Sequence, residues 1–408
     1  MNVIVVGSGG REAALAWKLG KEGHTVFPAP GNGASKHPVF FRGYDELASF
    51  AEKENCFTIV GPEGPLSDGI VDLFYERELG IFGPTKKAAL LESSKAFAKG
   101  FMKRHGIPTA RFKTFTDSGR ALEYAKENLP VVIKASGLAA GKGVMVCKNE
   151  GQAKEAISKI MDKRAFGQAG DRVVIEEFLE GFEISYLAFT DGKAFRSLAL
   201  ARDYKRALDG DKGPNTGGMG AYCPFTPGQI DGKILDWRIR KDIVERFIEG
   251  LSKDRLDYRG IIYFGIMVCH GKPYVLEFNC RFGDPETQAI LPRMGSALLP
   301  YVQACFQRRL SKTPEIKWKK EYAVCIVATS RGYPGNYMKG KEISVQKTKS
   351  LVFHAGTIRA GEKILTNGGR VINVVALGKD LADARAKAYN DLKKIKFEGV
   401  FYRGDIGK

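Results

Sequence analysis

The sequence has no hydrophobic run long enough to cross a membrane. None of its apolar stretches approaches the roughly 20 residues that a transmembrane helix requires, and no basic region precedes an apolar run at the N-terminus, as it would in a secretory leader. We therefore expect a cytoplasmic protein that has no membrane partner.

Cysteine offers no disulfide framework. The seven cysteines are scattered along 408 residues, and none forms a Cys-x-x-Cys pair with another. An odd, irregular set of this kind indicates reduced thiols, which again favours the cytoplasm.

The sequence also lacks a block of basic residues, although it is basic as a whole. It has 64 Lys and Arg against 46 Asp and Glu, a formal net charge of +18. Such a balance favours anionic partners, which include nucleic acid, anionic membranes and small phosphorylated metabolites. Because the Lys and Arg are spread along the chain, we expect phosphate-bearing small molecules and no nucleic-acid partner.

The length and the order of elements predict several domains. At roughly 100–200 residues a domain, the chain has room for about two to four. Strands alternate with helices up to Phe82, which predicts a parallel sheet with both faces covered. We expect four parts at 1–93, 94–182, 183–316 and 317–408, and hence a multidomain protein of the α/β and α+β classes. Within them we predict a helix at Leu66–Leu79 and a hairpin turn at Asn367-Gly368 between strands.

A predicted strand near residue 280 has one apolar and one polar face. Side chains alternate along a strand, so Leu276, Phe278, Cys280 and Phe282 would face a core, and Glu277, Asn279 and Arg281 would face the other way. A carboxylate and an amide oxygen are ligands that Mg²⁺ accepts alongside substrate phosphates, and a guanidinium binds phosphoryl or carboxylate oxygens as a fork. The alternative is an edge strand with one solvated face.

Two glycine-rich segments are candidate phosphate sites. Lys134 to Gly143 contains Gly141-Lys142 but leads into a strand, so it is no P-loop; it predicts a hairpin that folds over a triphosphate, or else an ordinary flexible hairpin. Gly7-Ser8-Gly9-Gly10-Arg11-Glu12 lacks the remaining features of a dinucleotide motif. It is either an anion seat at a helix start or a purely structural turn.

Two further segments have candidate binding groups. Backbone at Glu176, Glu177 and Leu179 lies at a strand end, where it could pair with a purine edge, and the Glu183 carboxylate could accept from ribose hydroxyls, although acidic strand ends are usually solvated. The stretch from Asp203 to Gly220 predicts a long polar loop, and long loops are commonly functional or disordered. Its Asp203, Lys205 and Arg206 could bind an anionic substrate that bears an amine.

Together these motifs resemble the ATP-grasp ligases, and within them the phosphoribosylamine–glycine ligases. The similarity covers nearly the whole chain. It rests on Gly7-Ser-Gly-Gly-Arg-Glu, Val60-Gly-Pro-Glu-Gly-Pro-Leu, Ser94-Lys-Ala-Phe, Gly137-Leu-Ala-Ala-Gly-Lys-Gly, Gly213-Pro-Asn-Thr-Gly-Gly-Met-Gly-Ala-Tyr, Glu277-Phe-Asn-Cys-Arg-Phe-Gly-Asp-Pro-Glu-Thr-Gln, His354-Ala-Gly-Thr and Thr366-Asn-Gly-Gly-Arg.

The resemblance implies a fold and a reaction. The fold would be ATP-grasp, with an N-terminal Rossmann-like substrate domain, an ATP-grasp region in two subdomains and a small β-rich C-terminal domain. ATP would phosphorylate glycine, and 5-phosphoribosylamine would attack the glycyl phosphate, giving glycinamide ribonucleotide, ADP and phosphate in the second step of purine synthesis. The enzyme would use ATP with Mg²⁺ or Mn²⁺ and act as a monomer on small molecules.

The resemblance also implies site residues in four groups. The catalytic group would be Arg281, Lys205 and Asp203, and the metal ligands Glu277 and Asn279. The ATP-binding group would be Lys95, Lys134, Lys142, Gly141, Gly143, Glu176, Glu177, Leu179 and Glu183, and the substrate-binding group Gly9, Gly10, Arg11, Glu12, Gly217, Gly218, Met219 and Gly220.

Two positions depart from the family pattern. Ala13 stands where a His is common, and Ser136 stands where an Asp is usual. The alternatives are an ATP-grasp ligase for another carboxylate or amine, such as a carboxylase-type purine enzyme, and a nucleotide-sensing or nucleic-acid-binding protein that has lost its chemistry.

Overall fold

A four-stranded parallel sheet forms the first part of the chain, in a computed structural model that describes residues 1–139, 142–228 and 230–408. Its central strand is apolar on both faces, and Val3, Ile4 and Val5 are fully buried because helices cover both sides. In spatial order the strands are Thr25–Pro30, Asn2–Gly7, Cys56–Val60 and Ile81–Phe82. The helices are Gly10–Lys21, Tyr44–Lys53, Glu63–Asp68 and Ile70–Glu76.

The prediction of a single helix at Leu66–Leu79 is wrong. The structure has two helices there, Glu63–Asp68 and Ile70–Glu76, and Gly69 separates them with a φ of +103°. A left-handed residue of this kind ends a right-handed helix, and glycine adopts it without a steric cost.

A small antiparallel sheet with its own core follows. Two helices, Lys86–Ser93 and Lys95–Arg104, lead into it, and helices Ser118–Glu127 and Glu150–Ile157 pack on one face over a separate apolar cluster. Its strands, in spatial order, are Phe112–Phe115, Val173–Glu177, Val131–Ala135 and Val144–Cys147. A π-helical turn at Ser158–Asp162 and a 3₁₀ turn at Gly167–Gly170 complete this part.

A second antiparallel sheet carries the polar row predicted near residue 280. Its strands, in spatial order, are Phe195–Ser197, Phe182–Thr190, Gly260–Cys269 and Lys272–Asn279. A long helical segment packs on it as Gly232–Ile239, a π-helical stretch Arg240–Val244 and Glu245–Lys253. Shorter helices follow at Glu286–Ile290, Leu291–Arg293, Leu299–Phe306 and Leu310–Lys312.

The third large sheet joins the middle of the chain to its C-terminal part. Strand Gly220–Cys223 pairs with Tyr322–Ser330, which in turn pairs with Arg370–Gly378 and Val400–Phe401. Arg202–Asp203 and Leu351–His354 form the two edges, and helix Leu381–Leu392 covers one face. Two-stranded pairs are Arg206–Leu208 with Lys212–Asn215, Ser344–Val345 with Ile395–Lys396, and Thr357–Ala360 with Lys363–Thr366.

This topology corrects two predictions. The stretch from Asp203 to Gly220 is not one loop, because it contains the hairpin Arg206–Leu208/Lys212–Asn215. The Asn367-Gly368 turn does not join hairpin partners, because the strand before it pairs with Thr357–Ala360. The Asn367 amide instead donates to the Gly356 carbonyl at 2.7 Å, which directs the chain across to another sheet. The domain boundaries at 93/94, 182/183 and 316/317 stay predictions.

The described residues contain no helix that is both long and apolar enough to span a bilayer. Each of the seven cysteines is a free thiol.

Candidate functional site

The polar row starts at the end of strand Lys272–Asn279, and an aromatic core fixes the direction in which it faces. Phe278 is 2% exposed and packs against the rings of Phe247 and Phe264, with centroids 5.1 and 5.6 Å away. The predicted burial of Phe278, Cys280 and Phe282 is therefore confirmed, while Leu276 is only half-buried. Because side chains alternate along the strand, Glu277 faces away from this core.

Arg281 is held in place by two carboxylates from the N-terminal part of the chain. Its Nε lies 3.1 Å from Glu63 Oε2 and 3.1 Å from Glu92 Oε1, and its Nη2 donates to Asn279 Oδ1 at 3.2 Å. Glu92 also accepts from the Cys280 amide at 2.6 Å. Burial raises the pKa of Glu92 to about 7, although Arg281 opposes the rise. The guanidinium is thus oriented before any ligand binds.

Glu277 is an ionised carboxylate among cations. Its burial alone would raise its pKa, but Lys205, Lys95 and Lys134 more than compensate, and the pKa lies below its ordinary value. Burial likewise acts on Lys95, whose pKa is lowered in spite of the nearby Glu277 carboxylate. Four of the predicted site residues therefore share one electrostatic environment.

Lys134 and Glu176 form a buried ion pair that a third residue joins. Lys134 Nζ lies 2.8 Å from Glu176 Oε1, a contact whose direction falls short of a hydrogen bond, and it also donates to the Leu276 carbonyl at 3.3 Å. Lys99 donates to Glu176 Oε2 at 2.8 Å. The side chain of Glu176, whose backbone was the predicted contact, is therefore part of the site's cation network.

Lys205 pairs with Glu183 of strand Phe182–Thr190. Its Nζ lies 2.7 Å from Glu183 Oε2, so the carboxylate predicted for ribose already has a cationic partner. Burial would lower the pKa of Lys205, but Glu183 and Asp203 hold it well above its ordinary value. Burial raises the pKa of Asp203 to about 7, and Lys205 opposes that rise. The three residues form one group of interacting charges.

The turn at Gly9–Glu12 is buried against the segment that follows the polar row. Glu12 accepts from the Gly9 amide at 2.7 Å, and Arg11 Nη1 donates to the Phe282 carbonyl at 3.0 Å. Arg11 and Glu12 are only 6% and 4% exposed. Because their side chains are engaged within the protein, the backbone of Gly9 and Gly10 is the part of this turn that could meet a ligand.

Gly217 lies against a half-buried ion pair between Asp284 and Arg370 of the C-terminal sheet. Arg370 Nη1 donates to the Gly217 carbonyl at 2.6 Å, and Arg370 Nη2 donates to Asp284 Oδ2 at 2.9 Å. Burial would raise the pKa of Asp284, but Arg370 and Arg11 hold it below its ordinary value. The chain continues from there through Gly218, Met219 and Gly220 into the sheet that joins the middle of the chain to its C-terminal part, which we call the shared sheet. The Met219 amide donates to the Tyr204 carbonyl at 2.8 Å.

Two buried amide side chains close the space around Gly10. Gln288 Oε1 and Asn373 Oδ1 are buried and accept no hydrogen bond within the described residues. A Cβ added to Gly10 would collide with both of these amide groups. This close approach requires glycine at that position.

Several predicted ATP-binding residues lie apart from this cluster. Glu177 accepts from Arg111 Nε at 2.7 Å on the outer side, Lys142 is exposed, and Leu179 is half-buried between two strands. The Gly143 carbonyl accepts from the Ala135 amide at 2.8 Å, which closes the base of the glycine-rich hairpin. Gly141 lies outside the described residues. The roles of these five residues, like those of all the other predicted site residues, stay predictions.

Sequence reasoning missed several residues that hold the site together. They are Glu63, Glu92, Lys99, Asp284, Gln288, Arg370 and Asn373. Glu63, Asp284, Gln288 and Arg370 lie inside motifs that carry the family resemblance, and Lys99 follows Lys95 by four positions, the spacing that puts two side chains on one helix face. Glu92 and Asn373 have no comparable signal.

The pair Glu277 and Asn279 fits a divalent cation that is shared with phosphates. No group of three or more His, Cys, Asp or Glu side chains suited to a metal occurs in the described ranges. Mg²⁺ typically takes one or two protein carboxylates and completes its shell with waters and substrate phosphates. One carboxylate and one amide oxygen beside several lysines match that requirement.

Family models match nearly all of the chain. Residues 1–92, 93–287 and 323–408 match the N, ATP-grasp (A) and C domains of phosphoribosylglycinamide synthetase. The phosphoribosylamine–glycine ligase of Pseudomonas aeruginosa is 45% identical over the whole chain and 97% of its own length. The trifunctional purine biosynthetic protein adenosine-3 of Gallus gallus is 47% identical, and the chain spans 42% of that longer protein.

Solved structures have the same architecture. The phosphoribosylamine–glycine ligase of Thermotoga maritima superposes over 100% of both chains with a TM-score of 0.89 and 36% identity. A second structure is the biotin carboxylase domain of the Hydrogenobacter thermophilus 2-oxoglutarate carboxylase, in complex with MgADP, ADP and bicarbonate. Its superposition covers 98% of this chain and 91% of that chain, with a TM-score of 0.73. At 16% identity the latter shows the fold alone. The expected multidomain ATP-grasp fold is confirmed, and the chain belongs to the phosphoribosylamine–glycine ligase family.

Proposed function

We propose that the chain joins glycine to 5-phosphoribosylamine, with ATP as the energy source and glycyl phosphate as the intermediate. The products are glycinamide ribonucleotide, ADP and phosphate. The observation that supports this most directly is the row Glu277, Asn279 and Arg281 beside Lys95 and Lys134, which offers metal ligands, a carboxylate-binding fork and phosphate-binding cations in one place.

The reaction needs cations on both sides of the phosphoryl group that is transferred. An amine does not displace hydroxide from a carboxylate near neutral pH, so the glycine carboxylate first becomes an acyl phosphate. Lys134 and Lys95 bind the nucleotide phosphates, and Arg281, held by Glu63 and Glu92, orients the glycine carboxylate as a fork. A divalent ion on Glu277 and Asn279 neutralises phosphate charge when bound.

The 5-phosphoribosylamine molecule binds between the N-terminal turn and the shared sheet. The Gly10 amide lies at the start of a 12-residue helix, which favours an anion such as the sugar phosphate, whereas the Gly9 amide already donates to Glu12. Asp203 and Lys205 lie on the amine side, where Asp203 accepts from the attacking amine.

The metal identity, the assembly state and the compartment belong to the same proposal. Mg²⁺ or Mn²⁺ fits the oxygen-only pair Glu277 and Asn279. A cytoplasmic monomer acting on small molecules, without nucleic acid, agrees with seven free thiols and with the diffuse positive charge.

The test is substrate-dependent release of ADP. We expect ADP release to require glycine, and sustained turnover to require 5-phosphoribosylamine as well. Hydroxylamine added with glycine and Mg-ATP should trap glycyl hydroxamate. ADP formation that is unchanged without glycine, or that proceeds equally with bicarbonate, would instead support an ATP-grasp ligase for another carboxylate.

A further inference from the structure

Lys99 is a buried lysine to which none of the proposed steps assigns a task. It lies on helix Lys95–Arg104 and is 2% exposed. Its Nζ donates to Glu176 Oε2 at 2.8 Å and to Thr109 Oγ1 at 2.6 Å. A lysine this deeply buried is rare unless it is paired, so its charge has a local purpose.

Glu176 is shared between two ammonium groups. Lys99 contacts one carboxylate oxygen and Lys134 contacts the other, each at 2.8 Å. The side chains of Glu176 and Lys134 are 2% and 8% exposed, so water screens these charges little. The cluster has two positive charges and one negative, which leaves one positive charge uncompensated by Glu176.

We propose that Lys99 is a positioning residue that shares the charge of Glu176 and thereby keeps Lys134 available to the nucleotide phosphates. The proposal rests on the proposed function, in which Lys134 binds ATP. Without Lys99, Lys134 is the one cation among the described residues within ion-pair distance of the carboxylate, and the two form a neutral buried pair. A phosphate then has to compete with Glu176 for that ammonium group.

The remaining contact of Lys134 supports different roles for Lys134 and Lys99. Lys134 Nζ reaches the Leu276 carbonyl at 3.3 Å, next to Glu277 in the strand with the predicted metal ligands. Its contact with Glu176 is not a well-directed hydrogen bond, whereas the contact of Lys99 with Glu176 is one. Burial would raise the pKa of Glu176, but Lys134 and Lys99 together hold it below its ordinary value, so the carboxylate is divided between two ammonium groups.

The test compares nucleotide binding in Lys99→Met with binding in Thr109→Val. Methionine has a side chain nearly as long as that of lysine but carries no charge. Thr109→Val removes a hydrogen-bond acceptor of Lys99 and leaves the charge of Lys99 in place. Mg-ATP and adenosine are titrated separately, and thermal unfolding of each variant is recorded. We expect Lys99→Met to weaken Mg-ATP binding about tenfold or more, as for loss of one charged hydrogen bond, with adenosine binding unchanged. Thr109→Val should stay within about threefold of the wild type for both.

A purely structural role for Lys99 would give a different result. Equal weakening of Mg-ATP and adenosine in Lys99→Met, or no weakening of Mg-ATP, would overturn the proposal. If Lys99→Met alone does not fold, Glu176→Gln is compared with Lys99→Met/Glu176→Gln. With no carboxylate to share, we expect Lys99→Met to have no further effect on Mg-ATP, and an undiminished effect would overturn the proposal.

The outcome is independent of whether glycine is the substrate. Wild-type protein that binds Mg-ATP but releases no ADP with glycine would contradict the proposed function and leave the role of Lys99 intact.

Discussion

Replacement of Arg403 by methionine should loosen the segment that positions Asp203 and Lys205. Arg403 is completely buried and donates through Nη1 to the Arg206 carbonyl at 2.9 Å, in the hairpin that follows Lys205. Its guanidinium also pairs with Asp405 at 2.7 Å and lies 5.0 Å from the centre of the Tyr204 ring. Tyr204 separates Asp203 from Lys205, so Arg403 supports both residues from behind.

The size of the expected loss of stability follows from Asp405, the carboxylate that would lose its cationic partner. Hydrogen bonds from Arg403 are the largest cause that lowers the pKa of Asp405 from 3.8 to about 2. A difference of nearly two pKa units corresponds to about 2 kcal/mol of stability near neutral pH. Asp211, the other carboxylate on Arg403, is 59% exposed and adds little. With the desolvated guanidinium gone, we expect Arg403→Met to lower the free energy of unfolding by about 2–4 kcal/mol.

The pH dependence gives this prediction a definite sign. The folded pKa of Asp405 lies below its unfolded value, so the stabilisation is fully present above about pH 4 and is lost as the pH falls from about 4 to about 2. The difference between wild type and Arg403→Met in free energy of unfolding should therefore narrow across that window.

Denaturant unfolding at several pH values, with hydrogen exchange at Arg206–Asn215, measures both effects. Arg309→Met is the control, since Arg309 is exposed and such substitutions usually change stability by less than about 0.5 kcal/mol. The reasoning is refuted if Arg403→Met is as stable as this control, or if its deficit does not narrow below pH 4.

Three further changes test other parts of the structure. Glu277→Gln should leave the fold intact, with some loss of stability because the neighbouring lysines lose a carboxylate, but should lower steady-state turnover about 100-fold or more, because a neutral amide binds Mg²⁺ poorly; near wild-type rates at low Mg²⁺ would contradict this. Gly10→Ala should lower stability by about 1–3 kcal/mol in thermal unfolding, since its Cβ collides with the Asn373 amide, whereas Gly20→Ala, which meets nothing within 4 Å, should not. Phe278→Ala should cost about 3–5 kcal/mol in urea unfolding because it empties the aromatic core behind the site, and a loss below about 1 kcal/mol would argue against that packing.

The sequence was sufficient for features that depend on local periodicity. The alternation from Leu276 to Phe282 correctly predicted that Phe278, Cys280 and Phe282 enter the core, but Leu276 is only half-buried because the strand register shifts at that residue. A strand's two faces are set by its own residues, so no long-range information was needed.

Features that depend on distant pairing could not be predicted in this way. Arg281 is oriented by Glu63, which lies 218 positions earlier in the chain, and no spacing rule connects the two. Asn367-Gly368 has the composition of a hairpin turn, yet its flanking strands pair elsewhere because the backbone meets Gly356 closely. Turn residues specify a local bend, whereas the partner of each strand is chosen by the whole fold.

The shared sheet has a mechanical consequence for the two halves of the site. Arg202–Asp203 and Gly220–Cys223 are hydrogen-bonded in series to Tyr322–Ser330 and Arg370–Gly378. Within the described ranges, the sheet that contains Lys134 and Glu176 has no strand in common with that ladder. A strain applied to the C-terminal strands is therefore transmitted through backbone hydrogen bonds to Asp203, and no backbone ladder of the described residues carries it to Lys134 or Glu176. Substitutions far from the chemistry, in the last quarter of the chain, should tune the affinity for one substrate while leaving the other unaltered.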